Sequence, residues 1–556
     1  MPYDHDERHG GPLERRSRRT SEKRDLRCIA VAVAGMGEEI AKKMLSKTIL
    51  LIHPPVAKPS EPPAGIAKLA GALVAHGLDH SLIDANLEGM LFLLQRPSVA
   101  QDTWTLRASR SLPAHLKNLK TAWLYANRGR YRRAVGDVNH LLQTAFPRLS
   151  GSPGLSDYHD SRLTPVRSQD LLYSAEHPEL NPFYDYMEQS LRLKIEAARP
   201  ALVGISINYL SQALTGFALA GFIRHHFPEA SIIMGGGLIT SWMRNHEWPH
   251  PFSGLIDRFI AGPGEDPLLE LLGVSHEPRE SYAPAYDGLH QNDYLSPGLV
   301  LPYASSSGCY WARCSFCPER SEGNPYRPVP VSKAIQQIRN LSDSMRPSLI
   351  HLVDNAVSPA MLKALIDHPP GAPWYGFVRT TAELTDPAFC HALRQSGCVM
   401  LKLGIESGDQ KVLDYLEKGT TVEMSSRALK AIHAAGISTY VYLLFGTPPE
   451  TGLEAERTLA FTVAHSLSID FLNLAIFNPP VNSPEAAMLT TGGFYEGDCP
   501  LYADFVHPEG WSRIEVRRFL DKVFRRDPAM AAILRSQPPL FTSNHAPFFS
   551  IHGGLG

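Results

Sequence analysis

Three cysteines fall within nine residues in the segment LPYASSSGCYWARCSFCPERSEG, residues 301–323: Cys309, Cys314 and Cys317. The whole chain contains only seven. Thiolates ligate metals, so the grouping points first to a metal centre. A structural zinc ion takes four ligands, and the next candidates, His351 and Cys390, lie too far downstream for a compact knuckle. A disulfide would use two thiols and strand the third. Four cysteines would cap every iron of a four-iron cluster; three leave one iron open to a molecule that must react. Tyr310, Trp311 and Phe316 stand among the thiols and can shield such a cluster from water, which helps set its potential. The residue count favours the open-iron cluster, with zinc and unligated thiols as alternatives. Cys390, Cys398 and Cys499 are too scattered for a second cluster and read as structural.

The elements that must hold this loop follow from hydrophobic patterning. From residue 299, six apolar runs read as strands: LVLPYA, SLIHLVD, WYGFVR, VMLKLGIES, STYVYLLFG and DFLNLAIF, with helical segments between them. At ~30 residues per βα unit this is a parallel barrel or part of one. Chemistry in such a fold belongs to the loops at the carboxyl ends of the strands, and the cysteines occupy the first of them. Upstream, TILLIHPP, HSLIDAN, ALVGISINY (201–209), SIIMGGG (231–237) and LIDRFIAGPGED (255–266) predict a five-stranded doubly wound (Rossmann-like) α/β sheet. A mostly helical insertion, about 90–200, interrupts it, with FPRLSGSPGLSDYHDS expected as loop. The proline-rich PRESYAPAYDGLHQNDYLSPG reads as a linker. The expected units are 44–275, a linker over 276–298, a barrel over 299–485 and a small, mostly helical tail over 486–556.

Composition sets the remaining bounds. Lys plus Arg number 54 against 56 Asp plus Glu, so no overall field draws the chain to nucleic acid or an anionic membrane. No apolar run approaches the ~20 residues that cross a bilayer. Few cysteines in a long chain suit a reducing compartment, and a cytoplasmic location is expected. Residues 1–43 are polar and expected to be disordered, with Met44 the expected functional start. Arg18-Arg19 is followed by too short an apolar piece for an export signal. VAVAGMGEEIAKKML mimics a dinucleotide fingerprint but places Ile40 where a small residue belongs.

Residues 299 to about 485 resemble the radical S-adenosylmethionine (SAM) enzymes, whose signature is three cysteines after the first strand of a partial (β/α)6 barrel. The usual spacing is CxxxCxxC; here it is C-x4-C-x2-C. KLGIESGDQKVLDYLEKGTT resembles that family's fourth-strand segment, and GISTYVYLLFGTPPET its fifth strand and turn. The resemblance implies a 4Fe-4S cluster on Cys309, Cys314 and Cys317. Its open iron would chelate SAM, and one electron would split the sulfonium to give a 5′-deoxyadenosyl radical. A reductant such as flavodoxin or ferredoxin is the implied partner. It further implies that Asp354 and Asn355 meet the methionine amino group and that Arg379 meets the carboxylate. Glu406 and Ser407 would touch ribose and methionyl groups, and Gly446, with Thr447 and Pro448, the adenine. The plain alternatives are a helix cap for Glu406, an ion pair for Arg379 and a turn for Gly446.

Residues 48 to about 270 resemble the cobalamin-binding domain that precedes the barrel in one branch of that superfamily. The resembling pieces include LIDAN, ALVGISINYLSQA, IIMGGGLIT and FIAGPGED. Pro55, Ser206, Asn208 and Gly235-Gly236-Gly237 are the implied contacts for a corrinoid. The Asp-x-His-x-x-Gly motif that ligates cobalt from below is missing after the first strand; Asp84–Gly89 has its spacing with Asn86 for the histidine, a coincidence. The implied activity is methyl transfer to an unactivated carbon or phosphorus centre of a small molecule or peptide. A non-methylating rearrangement, cyclisation or C–S bond formation is the alternative, and a cobalamin-binding sensor without catalysis a second. In the tail, Asn544 and His545 are candidates for a lid, with a satisfied core histidine the expected reading of His545.

Overall fold

The computed structural model describes residues 48–552 except 98–101, 147, 246, 247, 249, 250, 279 and 495. The expected extension over 1–43 therefore lies outside the described residues. Two parallel sheets organise the chain. The first consists of β1 (Ile49–His53), β2 (His80–Asp84), β3 (Leu202–Ser206), β4 (Ser231–Gly235) and β5 (Arg258–Phe259), in the order β2-β1-β3-β4-β5. Every residue of β1 and β3 is buried, because helices cover both faces of a parallel sheet, and Pro54 stops β1. The strand order reverses between β1 and β3, which opens a crevice at their carboxyl ends. β5 is only two residues long, shorter than the run over 255–266 predicted.

The insertion is built from helices Thr103–Leu119, Arg128–Gln143 and Ser168–Glu176. It is not loop throughout its second half: Gly151–Pro153 and Tyr158–Asp160 pair as a small hairpin, the turn being closed by Gly154 N–H donating to the Asp157 carbonyl. Prolines and glycines masked the alternation that a strand needs. The linker is stitched to the first unit, with Leu295 N–H donating to the Pro59 carbonyl (2.8 Å) and the Tyr294 hydroxyl to Asp84 (2.8 Å).

The second sheet comprises β6 (Val300–Tyr303), β7 (Leu349–Leu352), β8 (Trp374–Val378), β9 (Cys398–Glu406), β10 (Ser438–Phe445) and β11 (Phe471–Ile476). All six neighbour one another in chain order and run parallel, and β6 does not pair with β11, so the barrel is partial. The tail contains a hairpin, Thr491–Gly493 with Ala503–Phe505, as well as helices. Its last helix, Thr542–His552, wedges between the insertion and the barrel. There His545 is fully buried, stacked on Phe541 at 3.9 Å, with Nδ1 2.9 Å from the Tyr131 hydroxyl. No helix among the described residues is long and apolar enough to cross a membrane.

Candidate active site

The cysteine loop leaves β6 and docks on the segment that follows β9. Ser315 N–H donates to the Leu416 carbonyl (3.1 Å), and Trp311 Nε1–H to the Glu417 carbonyl (3.0 Å). The Trp311 ring lies against Gly419, where a Cβ would come within 2.1 Å of it. Its other face takes the Arg379 guanidinium at 4.3 Å, a cation–π contact in a half-dry site. The four-residue spacer between Cys309 and Cys314 turns on exposed Ala312, whose φ of 47° is left-handed.

Cys314 is buried, Cys309 and Cys317 half-buried, and none forms a disulfide. Burial pushes the Cys317 thiol up to about 12, and the neighbouring Cys314 and Cys309 add to it. Metal ligation has to displace that proton. Among the described residues, no three His, Cys, Asp or Glu side chains converge tightly enough for one metal ion.

The expected SAM-contacting residues ring this loop at the ends of β7 to β10, each with a present partner. Asp354 does not project freely: it accepts from Ser305 N–H (3.0 Å), Ser305 Oγ (2.7 Å) and Ser306 Oγ (2.6 Å), tying β7 to the start of the cysteine loop. Asn355 is exposed and bonds Glu319. Arg379 donates from Nη1 to Cys314 Sγ (3.4 Å) and from Nη2 to the Lys418 carbonyl, so its partner here is the cysteine loop and not a carboxylate. Glu406 sits at a bulge in the β9–β10 register with φ 66°, and accepts from Lys418 Nζ (2.7 Å) in a buried ion pair. It caps no helix; Asp409 does that, accepting from Val412 N–H (3.2 Å). Ser407 shares a hydrogen with Thr458 (3.0 Å). Gly446 has φ 77° and donates its N–H to Glu450. Burial raises the Glu450 carboxyl to about 8, although Gly446 and Thr447 N–H oppose the rise. Lys418 and Glu450 were not among the sequence candidates; only their nearness to the strand-end motifs signalled them.

A cavity of about 830 Å³ separates this loop from the crevice of the first sheet. Ser206, Asn208 and Gly235-Gly236-Gly237 line one side, and Ser306–Gly308, Glu319 and Asn355 the other. Gly236 has φ 108°, and a Cβ there would lie 2.3 Å from the Ile207 carbonyl oxygen. The Asn208 carboxamide accepts from Gly237 N–H (3.0 Å) and fixes the turn. Pro55 is the exception among the predicted corrinoid contacts. It is buried and does not line the cavity, because the chain after β1 turns inward beneath the helix Leu210–His226, Gln212 bonding the Pro54 carbonyl (2.7 Å). No histidine is among the lining residues; His53, at the end of β1, is buried instead.

The Radical SAM superfamily model matches residues 303–462. An uncharacterized methyltransferase of Pyrococcus horikoshii is 25% identical over 318 residues, spanning 50% of this chain and 67% of that protein. Against two further curated relatives the chain spans 40% and 42% of their length. Among solved structures, the cobalamin-dependent SAM radical enzyme OxsB with aqua-cobalamin bound aligns with a TM-score of 0.55 at 15% identity, covering 84% of this chain and 66% of OxsB. The radical SAM methyltransferase TsrM from Kitasatospora setae, with tryptophan and a SAM analogue bound, aligns with a TM-score of 0.54 at 16% identity, covering 92% and 96%. Residues 303–462 thus match the Radical SAM superfamily model, and the two parallel sheets share the fold of OxsB and TsrM.

Proposed function

We propose that this protein is a cobalamin-dependent radical SAM methyltransferase acting on an unactivated carbon or phosphorus centre. One observation carries the reading: the loop that bears three thiols in no disulfide borders, through Ser306–Gly308 and Pro318–Glu319, a cavity whose other wall is the small-residue edge of a doubly wound sheet. The donor set fits a cluster with one open iron, and the glycine-lined wall fits a broad flat corrinoid with no imidazole below it. When bound, the cluster supplies the electron that cleaves SAM, and the corrinoid supplies the methyl group. The chain's own residues orient and shield. Cys309, Cys314 and Cys317 hold the cluster, while Arg379 and Trp311 press the loop in place and exclude water. Asn355, Glu406, Ser407 and Gly446 stand at the strand ends where SAM would lie, with Asp354 positioning the first loop. Ser206, Asn208 and Gly235–Gly237 cradle the corrinoid. A cytoplasmic location and a low-potential protein reductant follow from the same chemistry.

Anaerobic reconstitution with iron, sulfide and hydroxocobalamin tests this. Four irons and one corrinoid per chain are expected, and turnover should release S-adenosylhomocysteine and 5′-deoxyadenosine together. 5′-Deoxyadenosine alone would replace methylation by a rearrangement, cyclisation or C–S bond formation; zinc in place of iron would overturn the reading entirely.

A further inference from the structure

The barrel interior holds a charged group that none of these roles uses. Along β10, Val441, Leu443 and Phe445 are buried while Tyr442 and Leu444 are only half-buried; on β8, Phe377 is half-buried between buried Gly376 and Val378. On that face Phe377, Tyr442 and Leu444 keep partial contact with solvent. Lys402 of β9 is buried beside these rings, with 9% of its surface exposed. Its Nζ lies 3.0 Å from His351 Nε2, 5.3 Å from the Tyr375 ring centre and 6.0 Å from that of Phe377. Tyr375 stacks on His351 at 4.3 Å, and Phe377 packs against Tyr442 at 5.0 Å.

The charges around Lys402 are arranged so that it lacks a direct ion pair, with Glu61 acting on it only through space from beyond His351. Glu61, from the segment after β1, accepts from His351 Nδ1 at 2.9 and 3.0 Å, which leaves Nε2 as the acceptor facing Lys402. Asn544 donates to the same carboxylate (3.4 Å), and Lys58 is spent on Thr542 Oγ1 (2.7 Å) and Asn544 Oδ1 (3.3 Å). Among the described residues no carboxylate oxygen lies within salt-bridge distance of Lys402 Nζ. An ammonium has three N–H donors, and one hydrogen-bond acceptor is present. A buried cation with no direct ion pair is costly, and an incoming anion would relieve that cost.

We infer that Lys402 is the anion anchor of a substrate chamber in the barrel lumen, and that the substrate is a flat, ring-bearing molecule with a carboxylate or phosphate group. The half-buried rings of Phe377 and Tyr442 form the wall that takes the ring, while buried Tyr375 stacks on His351 and backs Lys402. Lys402 lies four residues before Glu406, so the anion would sit roughly 13 Å below the strand ends at 3.3 Å per residue. The inference deepens the proposed function and rests on it for the identity of the chamber. Burial pushes Lys402 down to about 8, with Glu61 opposing and Lys58 adding, so the cation persists at neutral pH and is lost in mild alkali.

Ligand-observed NMR with benzoate, phenyl phosphate and benzamide on the purified full chain tests it without any cluster chemistry. At pH 7 at least one anion should bind ten-fold or more tightly than neutral benzamide, and which anion wins distinguishes a carboxylate substrate from a phosphate one. The preference should disappear in Lys402→Met, survive in Lys402→Arg and, in the unaltered chain, fade between pH 7 and 9. Equal binding of all three probes, no binding of either anion, or a preference untouched by Lys402→Met or by pH would overturn it. Such a failure leaves the radical chemistry standing, because iron content and SAM cleavage are measured separately.

Discussion

At the scale of single residues, the three thiols and one carboxyl make the sharpest demands. Replacing Cys309, Cys314 or Cys317 by Ala would remove one of the three ligands of the proposed cluster, which has none to spare. Each variant should lose bound iron and form 5′-deoxyadenosine at under roughly a hundredth of the parent rate, checked by iron assay and anaerobic product analysis. Glu450 makes a different demand, because its folded carboxyl titrates near 8 and its ordinary value is 4.5. Below about pH 4.5 the group is protonated both folded and unfolded. As pH rises toward 8 only the unfolded chain releases the proton, so the stability this group contributes at low pH is progressively lost. Denaturant unfolding should show the parent losing up to about 1.4 kcal/mol per pH unit relative to Glu450→Gln between pH 5 and 8. Parallel stability curves would mean that the carboxyl is ionised in the folded chain.

At the scale of elements, the sheet edge depends on one backbone conformation. Gly236 joins β4 to the helix Gly237–Arg244 at φ 108°, against the Ile207 carbonyl. Gly236→Ala should cost roughly 2–4 kcal/mol from left-handed strain and the backbone clash together. It should also weaken hydroxocobalamin retention, measured by thermal unfolding and by gel filtration with optical detection. Strand ends were legible in advance because buried parallel strands read as continuous apolar runs: all six of the barrel and all five of the first sheet lie within the runs. The hairpin at 151–160 and the shortness of β5 were not, since both depend on partners the local pattern does not specify. The left-handed turn at Ala312 likewise carries no sequence mark; it exists because Trp311 and Cys314 are held on either side of it.

At the scale of the whole molecule, the two sheets share one cavity, and a ligand bridging it should couple them. Hydroxocobalamin at a hundred times its dissociation constant should raise the unfolding free energy by about 2.7 kcal/mol, with both units melting in one transition. Unfolding of the barrel unaffected by the corrinoid would show that the cavity does not join the two. The insertion and the last helix add a second junction. Tyr125 and Tyr131 of the insertion surround His545 and Phe549 of the tail, so residues more than 400 positions apart in sequence close the same core.

The sequence by itself determined the place of the cysteine loop after the first barrel strand, the two parallel α/β units and the strand ends that carry Arg379 and Glu406. Ligand count, spacing and hydrophobic period are local properties, and local properties can be read along a chain. Only the tertiary structure decided what those side chains touch: Arg379 against Cys314, Glu406 against Lys418, and Pro55 away from the cavity. It alone brought Glu61 to His351 across 290 residues and left Lys402 beside them without a direct ion pair. Pairing between distant buried charges is settled by which surfaces pack together, and no spacing rule within one strand encodes that.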